Sequence, residues 1–253
     1  MIEVKHLSKY FGDRVVLNDI STVFERGKTN LVIGQSGSGK TVLLKCIVGL
    51  LEVEQGEILY DQVVFNQLPF QEQKDIRKQI GMLFQGSALF DSMTVEKNVM
   101  FPLDMFTRLT LAEKRERVNF CLKRVNLERV NRLYPAEISG GMKKRVAIAR
   151  AIALNPSYLF CDEPNSGLDP QTSIVIDELI KEITEEYNIT TIINTHDMGS
   201  VASIGEKIVF ISNGRLEWTG TSHDIIQSGN KLLDDFIFAS PFTRKVKDTF
   251  LGK

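Results

Sequence analysis

A glycine-rich segment at residues 34–41 constrains the fold of this chain of 253 residues more than any other feature. It matches the pattern G-x-x-x-x-G-K-[ST], between an apolar run, 29–33, and helically spaced apolar residues at 40–50. Its glycines let backbone N–H groups converge on phosphate oxygens at a helix N-terminus. We therefore predict a phosphate-binding loop made of Gly34, Gln35, Ser36, Gly37, Ser38, Gly39, Lys40 and Thr41. Lys40 would reach the β- and γ-phosphates, and Thr41 would bind Mg²⁺.

An apolar strand that ends in acid supplies the second half of such a site. Residues 158–163 read Tyr-Leu-Phe-Cys-Asp-Glu. Asp162 is predicted to hold the Mg²⁺ shell, and Glu163, one residue beyond the strand, to orient or deprotonate the attacking water. A lone Asp-Glu pair is weak evidence, but the apolar strand before it and the upstream loop favour a catalytic role.

The order of predicted elements indicates one α/β domain. Alternating apolar residues near the start, followed by a run from Arg14 to Phe24 after a Gly-Asp turn, predict antiparallel strands. Residues 90–155 carry helical spacing and few strand signals, so we predict an all-helical insertion. After it, strands at 158–161, 190–193 and 207–211 alternate with helices near 171–187 and 198–205, which predicts a mainly parallel sheet covered by helices. The predicted division is a catalytic core at 1–89 and 156–227, a helical part at 90–155 and a C-terminal tail at 228–253.

Composition narrows the class of protein. The net charge of −1 is spread along the chain, so we expect no nucleic-acid partner. The cysteines, Cys46, Cys121 and Cys161, are far apart in apolar surroundings, which indicates buried thiols in a reducing compartment. No apolar run approaches the ~20 residues that cross a bilayer, and the first residues do not resemble a signal peptide. The prediction is a cytosolic protein, and any association with a membrane would go through a partner.

A further motif lies between the two halves of the site. Ser139-Gly140-Gly141 opens a predicted helix and presents bare backbone amides and a hydroxyl, a second anion site too short to bind nucleotide alone. Residues 138–142, with the 143–151 run after them, resemble the signature of the ATP-binding-cassette (ABC) family. The resemblance covers nearly the whole chain. It implies a P-loop NTPase (RecA-like) core with an antiparallel β subdomain and an inserted helical subdomain.

The resemblance also implies roles for single residues. Phe11 is similar to the aromatic residue that stacks on adenine, although the adjacent Tyr10 is an alternative. Gln85 resembles the glutamine that contacts metal or water, and His196 the histidine that contacts the γ-phosphate. His196 also follows a strand, at the sheet edge where ligands of open α/β sheets gather. The nucleotide-contacting set implied in addition is Val42, Ser139, Gly140, Gly141, Met142 and Asp169.

The same resemblance predicts partners. Two copies would face head to tail, so that each signature covers the γ-phosphate of an ATP held by the other copy. A membrane permease would dock near residues 86–91 and the apolar run Met93, Val95, Val99, Met100 and Phe101, although any one of these could equally pack the interior. The rival hypothesis is a regulatory cassette that binds ATP without useful turnover. Glu163→Gln separates the two.

The prediction of the transported cargo rests on fewer residues. Met142 replaces the family's usual signature Gln, and the sequence around it resembles the ATPases of Mla-type (MCE) phospholipid transporters. An MCE-domain lipid-binding protein is the partner that this implies. Asn165 departs from the more frequent Thr or Ala, which leaves uptake of an amino acid or a metal open. The basic tail, 240–253, is predicted either to clasp the opposite subunit or to lie frayed or against a membrane.

Overall fold

The protein is described by a computed structural model over residues 1–239, and the predicted tail at 240–253 lies outside that range. The chain forms two compact units. The first unit is Met1–Glu25, Thr29–Gln67 and Asn194–Lys253. The second unit is Arg26–Lys28 and Leu68–Ile193.

Strands and helices alternate along most of the chain. In chain order they are β1 Ile2–Phe11, β2 Arg14–Phe24, β3 Thr29–Ile33, α1 Lys40–Ile47, β4 Gln55–Tyr60, β5 Val63–Val64, α2 Phe70–Arg77, β6 Ile80–Leu83, α3 Val95–Phe106, α4 Leu111–Arg124, α5 Gly140–Ala151, β7 Tyr158–Asp162, α6 Pro170–Glu186, β8 Thr190–Thr195, α7 Met198–Ile204, β9 Lys207–Ser212, β10 Arg215–Gly220 and α8 Lys231–Ile237.

The first unit contains a four-stranded antiparallel sheet in the order β2-β1-β4-β5. Ile2 and Val4 on β1 point to one face and are buried, as the period-two spacing predicts. The hairpin between β1 and β2 pairs Phe11 with Arg14. The predicted antiparallel start of the chain is therefore confirmed.

The first unit also positions the glycine-rich segment. Strand β3 is buried along all five of its residues, which is typical of a strand covered on both faces. It pairs in parallel with β9, and β10 pairs antiparallel on the far side of β9. Residues 34–39 follow β3 directly and lead into α1, so the predicted strand, loop and helix are present in that order.

In the second unit β6 and β7 pair in parallel, and β7 is buried throughout. Helices α3, α4 and α5 pack on one another. Side-chain oxygens of Thr94, Thr110 and Asp169 cap the N-termini of α3, α4 and α6, each accepting from a backbone N–H three residues on. Between residues 90 and 155 the structure contains helices and no strand, as predicted.

Four elements have no clear signal in the sequence pattern. They are β4, α2, β10 and α8, all of which are short or only half-buried, so their apolar periodicity is weak. The three cysteines are free and buried, as predicted. Among residues 1–239, no helix is long and apolar enough to cross a membrane.

Candidate nucleotide site

The glycine-rich loop of the first unit is closely packed at its first residue. Gly34 has φ of 152°, and a β-carbon there would collide with the carbonyl oxygen of Ile211 on β9. It would also lie 2.8 Å from the hydroxyl of Ser38. No side chain fits at this position, so the loop stays open to a ligand through bare backbone.

The side chains of the loop fit a phosphate group. Lys40 is buried, and its Nζ donates to the carbonyl oxygens of Gly34 and Gln35 at 2.8 and 3.1 Å, which folds the ammonium over the loop. The Ser38 hydroxyl is buried and has no hydrogen-bond partner among the described residues. A phosphate oxygen in the loop would satisfy the hydroxyl and gain the lysine charge, so the loop fits the group that the sequence predicts.

Helix α1 strengthens this preference for an anion. Its first turn contains no acidic residue, and its N-cap, Gly39, has no side-chain oxygen to occupy the free N–H groups. The positive end of the helix dipole is therefore not neutralised locally. Of the remaining predicted loop residues, Gln35, Ser36 and Gly37 are exposed, and Thr41 and Val42 are half-buried.

The candidate adenine-stacking residue lies at the end of β1. The ring of Phe11 is 48% exposed, whereas Tyr10 is half-buried. Lys9 places its Nζ 5.2 Å from the centre of the Phe11 ring and donates to Glu54 at 2.7 Å. Burial raises the pKa of Glu54, but the hydrogen bonds from Lys9 and the Tyr10 amide outweigh it and lower the pKa overall. No local pattern indicates this support, because Glu54 is more than forty residues away in the chain.

His196 follows β8, at the point where the chain has returned to the first unit. His196 is exposed, whereas the preceding Asn194 and Thr195 are buried. The next residue, Asp197, caps α7 by accepting from Gly199 N at 2.8 Å, and its own N–H donates to Thr195 Oγ1. The turn around His196 is thus held from both sides.

The acidic pair belongs to the second unit. Asp162 ends β7 and is 9% exposed, and Glu163 follows it outside the strand with φ of 51°. A positive φ is uncommon outside glycine, and residues with this conformation cluster at functional sites. The backbone therefore turns sharply at Glu163, the residue that the sequence predicts to be the catalytic base.

Gln85 follows β6 in the second unit and is exposed. Its structural partner, which no motif predicted, is Lys144 on α5. Lys144 is 4% exposed, and its Nζ donates to the carbonyl oxygen of Gln85 at 2.5 Å and to that of Glu163 at 3.4 Å. Burial lowers the pKa of Lys144, and the nearby Cys161, Glu163 and Asp162 oppose that shift. The sequence signal that could have indicated this contact was a basic residue two positions after the signature motif, in a helix whose other face is apolar.

The signature motif forms the N-terminus of α5. Ser139 is the N-cap, and its hydroxyl oxygen accepts from Met142 N at 3.2 Å. The motif therefore caps its helix and also leaves the first turn accessible to solvent. Ser139 and Gly140 are exposed, and Gly141 and Met142 are half-buried. A β-carbon on Gly141 would lie 2.7 Å from Cγ2 of Thr172 on α6. The second glycine is therefore required by helix packing in addition to any contact with phosphate.

Asp169 has a structural contact of its own. Its carboxylate accepts from the hydroxyl and the backbone N–H of Thr172 at 2.5 and 3.0 Å, which lowers the pKa of Asp169. It is the N-cap of α6 and is exposed. These bonds fix the start of α6 and leave the carboxylate at the surface of the second unit.

The predicted metal ligands divide between the units. Thr41 belongs to the first unit, and Gln85 and Asp162 belong to the second. Within residues 1–239 no group of three His, Cys, Asp or Glu side chains is arranged to hold a metal. The hydroxyl, amide and carboxylate oxygens of these three residues are of the hard type that Mg²⁺ prefers.

An apolar cavity of about 380 Å³ opens in the second unit, near the segment predicted to meet a permease. Its lining includes Phe84, Phe90, Phe101 and Phe106, and also Arg77 and Lys78. Phe84, Phe90 and Phe106 are 40%, 40% and 52% exposed. Of the other residues in the predicted apolar run, Val95, Val99 and Met100 are buried and therefore pack the interior, and Met93 is half-buried.

Comparison with known proteins gives consistent results. The profile of the ABC transporter family matches residues 17–166. The intermembrane phospholipid transport system ATP-binding protein MlaF of Haemophilus influenzae is 40% identical over 94% of this chain and 90% of its own length. The methionine import ATP-binding protein MetN of Campylobacter jejuni is 38% identical over 96% of this chain and 77% of its own length.

Solved structures agree with the sequence relatives. A dimeric post-hydrolysis state of the ATP-binding cassette MJ0796 bound to ADP and Pi has a TM-score of 0.79 at 33% identity, covering 88% of this chain and 99% of that one. The structure of cbiO1 from Clostridium perfringens, part of the cbiONQ transporter complex, has a TM-score of 0.84 at 28% identity over 97% and 98%.

Proposed function

The chain belongs to the ABC transporter family, whose ATP-binding subunits hydrolyse ATP, and from that premise we propose that it powers a membrane permease that moves phospholipids. The ATPase activity follows from the family. The cargo is the part that we infer. The residue pattern at Ser139–Met142 carries that inference, together with the relationship to MlaF.

Hydrolysis can be assigned to residues already described. When bound, ATP supplies the phosphate bond that is cleaved, and Mg²⁺ supplies positive charge that offsets the negative charge of the phosphate oxygens. The loop amides after Gly34 and the ammonium of Lys40 hold the phosphates, and Phe11 stacks on adenine. Thr41 and Asp162 would hold the metal ion, with Gln85 assisting. Glu163 would orient or deprotonate the attacking water, and His196 would contact the γ-phosphate.

A second copy of the chain completes the site in this proposal. ABC cassettes dimerise, and the MJ0796 cassette is dimeric in its post-hydrolysis structure. Ser139 and Gly140 are exposed at the start of α5, where free N–H groups face solvent with no acidic residue in the first turn. The motif binds phosphate of the opposite copy's ATP, with Met142 and Asp169 beside it.

The permease docks on the aromatic cavity of the second unit. ABC cassettes pair with membrane permeases, and an amphipathic cytoplasmic helix of the permease would bury the exposed rings of Phe84, Phe90 and Phe106. Arg77 and Lys78, which also line the cavity, would meet acidic residues of that helix. The chain accordingly works at the cytoplasmic face of the inner membrane, attached through the permease, with no nucleic-acid partner.

Methionine uptake is the second candidate, because relatives named MetN reach similar identity, for example 41% for the protein of Photobacterium profundum. The two candidates predict different neighbours in the complex. A phospholipid carrier requires an MCE-domain lipid-binding protein, whereas an amino-acid importer requires a solute-binding protein. The signature methionine favours the first.

The experiment is to purify the tagged full chain from its native membranes in mild detergent and to identify its stoichiometric partners by mass spectrometry. The complex is then reconstituted into liposomes and assayed with fluorescent phospholipid and with radiolabelled methionine. Co-purification of an MCE-domain protein, with ATP-dependent lipid transfer, is the expected result. A solute-binding protein with methionine uptake would overturn the phospholipid assignment.

A further inference from the structure

Helix α5 holds the segment after β6 through two buried or half-buried cations. Lys144 donates to the carbonyl oxygen of Gln85, and Arg150 donates to those of Ser87 and Ala88 at 2.8 and 2.7 Å. Three of the four residues after Phe84 are therefore bonded to one helix. The fourth is Gly86, where an added β-carbon would meet no atom within 4 Å.

These hydrogen bonds are made to residues whose backbone conformation is unfavourable and must be stabilised by their surroundings. Ser87 and Ala88 have φ of 64° and 46°, in the left-handed region that non-glycine residues rarely occupy. Glu163 has φ of 51°. Such conformations persist where the surroundings over-determine them, and clusters of them mark functional sites. The cations of α5 supply that support at both places.

Lys144 is distinctive because one atom reaches both segments. Its Nζ lies 2.5 Å from the carbonyl oxygen of Gln85 and 3.4 Å from that of Glu163. The first segment leads to the aromatic cavity through Ser87–Phe90, and the second carries the proposed catalytic base, Glu163. Because Lys144 is 4% exposed, its ammonium group has little access to water and depends on protein acceptors such as these carbonyls.

We propose that Lys144 is a positioning residue that ties the Gln85 loop to the backbone of Glu163, so that movement of the loop changes the placement of the catalytic carboxylate. This inference rests on the proposed function, since it takes Glu163 as the catalytic base and the aromatic cavity as the permease site. Lys144 contacts neither nucleotide nor metal in this role. It acts through two backbone carbonyls, which no substitution of the Gln85 side chain removes.

The experiment compares full-length variants assembled with the permease. Lys144→Met keeps the aliphatic stem and removes the donors. We expect kcat to fall about tenfold while KM for ATP and the affinity for ATP change less than about twofold, because misplacing the catalytic base affects the chemical step rather than binding. Lys144→Arg keeps a charged donor and is expected to regain most of kcat. Lys143→Met, one position earlier on the same helix, is the matched control and should retain the wild-type rate.

A purely structural role predicts a different pattern, in which kcat, ATP affinity and thermal stability fall together and Arg does not restore activity. That pattern would overturn the proposal, as would a wild-type kcat in Lys144→Met. Should Lys144→Met not fold, Lys144→Gln takes its place, because the shorter glutamine side chain does not reach both carbonyls. An unchanged kcat in Lys144→Gln would likewise overturn the proposal. Absence of turnover in the wild-type complex would instead count against the proposed function itself.

Discussion

Asn165 donates from its side-chain amide to the carboxyl group of Asp177 across 2.8 Å, and both residues are buried, at 8% and 2% exposure. The bond joins the segment after Glu163 to the middle of α6. The resemblance to the family would predict Thr or Ala at position 165. Neither threonine nor alanine carries an amide donor, so neither would make this bond.

Replacing Asn165 by Ala is expected to destabilise the protein by about 1–3 kcal/mol, because a buried carboxyl oxygen loses a donor and cannot recruit water. Urea unfolding of the full chain measures this. Ser166→Ala, at the exposed neighbouring position, is the control and should stay within about 0.5 kcal/mol of wild type. A double-mutant cycle with Asp177→Asn should show coupling, and strictly additive effects would contradict the contact.

A second prediction concerns the first residue of the phosphate loop. Gly34→Ala places a methyl group against the carbonyl oxygen of Ile211, so the loop must shift away from β9. We expect ATP affinity to fall at least about tenfold, measured by titration calorimetry, because displaced loop amides no longer converge on the phosphates. Gly229→Ala is the matched control. Its φ of 64° is also positive, but no atom lies within 4 Å of the added methyl group, so its ATP affinity should match wild type.

These cases show which parts of the structure can be predicted from the sequence. Strand β3, the loop and α1 were predictable because their signals are local: an apolar run, glycines at fixed spacing and helical periodicity. The contacts of Lys144 could not be predicted. Its partners, Gln85 and Glu163, lie 59 and 19 residues away, and it bonds to their backbone carbonyls, which every residue type has. The exposed aromatic cavity was predicted only in part, since spacing on α3 does not tell which apolar residues face the interior.

The catalytic assignment of Glu163 predicts a loss of chemistry without a loss of binding. Glu163→Gln keeps the size of the side chain and removes the base, so ATP turnover by the permease complex should fall at least about 100-fold. ATP affinity should be retained, and a dimer trapped with ATP should accumulate on gel filtration. Glu178→Gln, an exposed position on α6, should turn over like wild type. Equal rates for Glu163→Gln and wild type would remove Glu163 from the chemistry.

The cysteines are predicted to be inert in the folded protein. Burial raises the pKa of Cys46 to about 12 and that of Cys121 to about 11, and it raises the pKa of Cys161 as well. At pH 8 a thiol of pKa about 12 is ionised in roughly one molecule in ten thousand, and the thiolate is the reactive form. A chromogenic disulfide reagent should therefore label the cysteines within residues 1–239 only after denaturation. Fast labelling of native protein would contradict their burial.

The docking proposal leads to a prediction about Phe106. Its ring is 52% exposed at the end of α3 and lines the aromatic cavity, so burial against an apolar permease helix should stabilise the complex. Phe106→Asp places a charge in that interface, and desolvating an unpaired carboxylate is strongly unfavourable. We expect co-purification of the permease, and the stimulation of ATP turnover by it, to fall at least about tenfold. ATP affinity of the isolated chain should not change.

The matched control is Phe120→Asp, because Phe120 is 47% exposed on α4 and does not line the cavity. A general effect of losing a surface aromatic ring would appear equally in both variants. Loss confined to Phe106→Asp assigns the cavity to the permease. Equal loss in both variants, or wild-type assembly by Phe106→Asp, would show that the permease binds elsewhere on the chain, because a buried charge at the centre of an apolar interface cannot leave assembly unchanged.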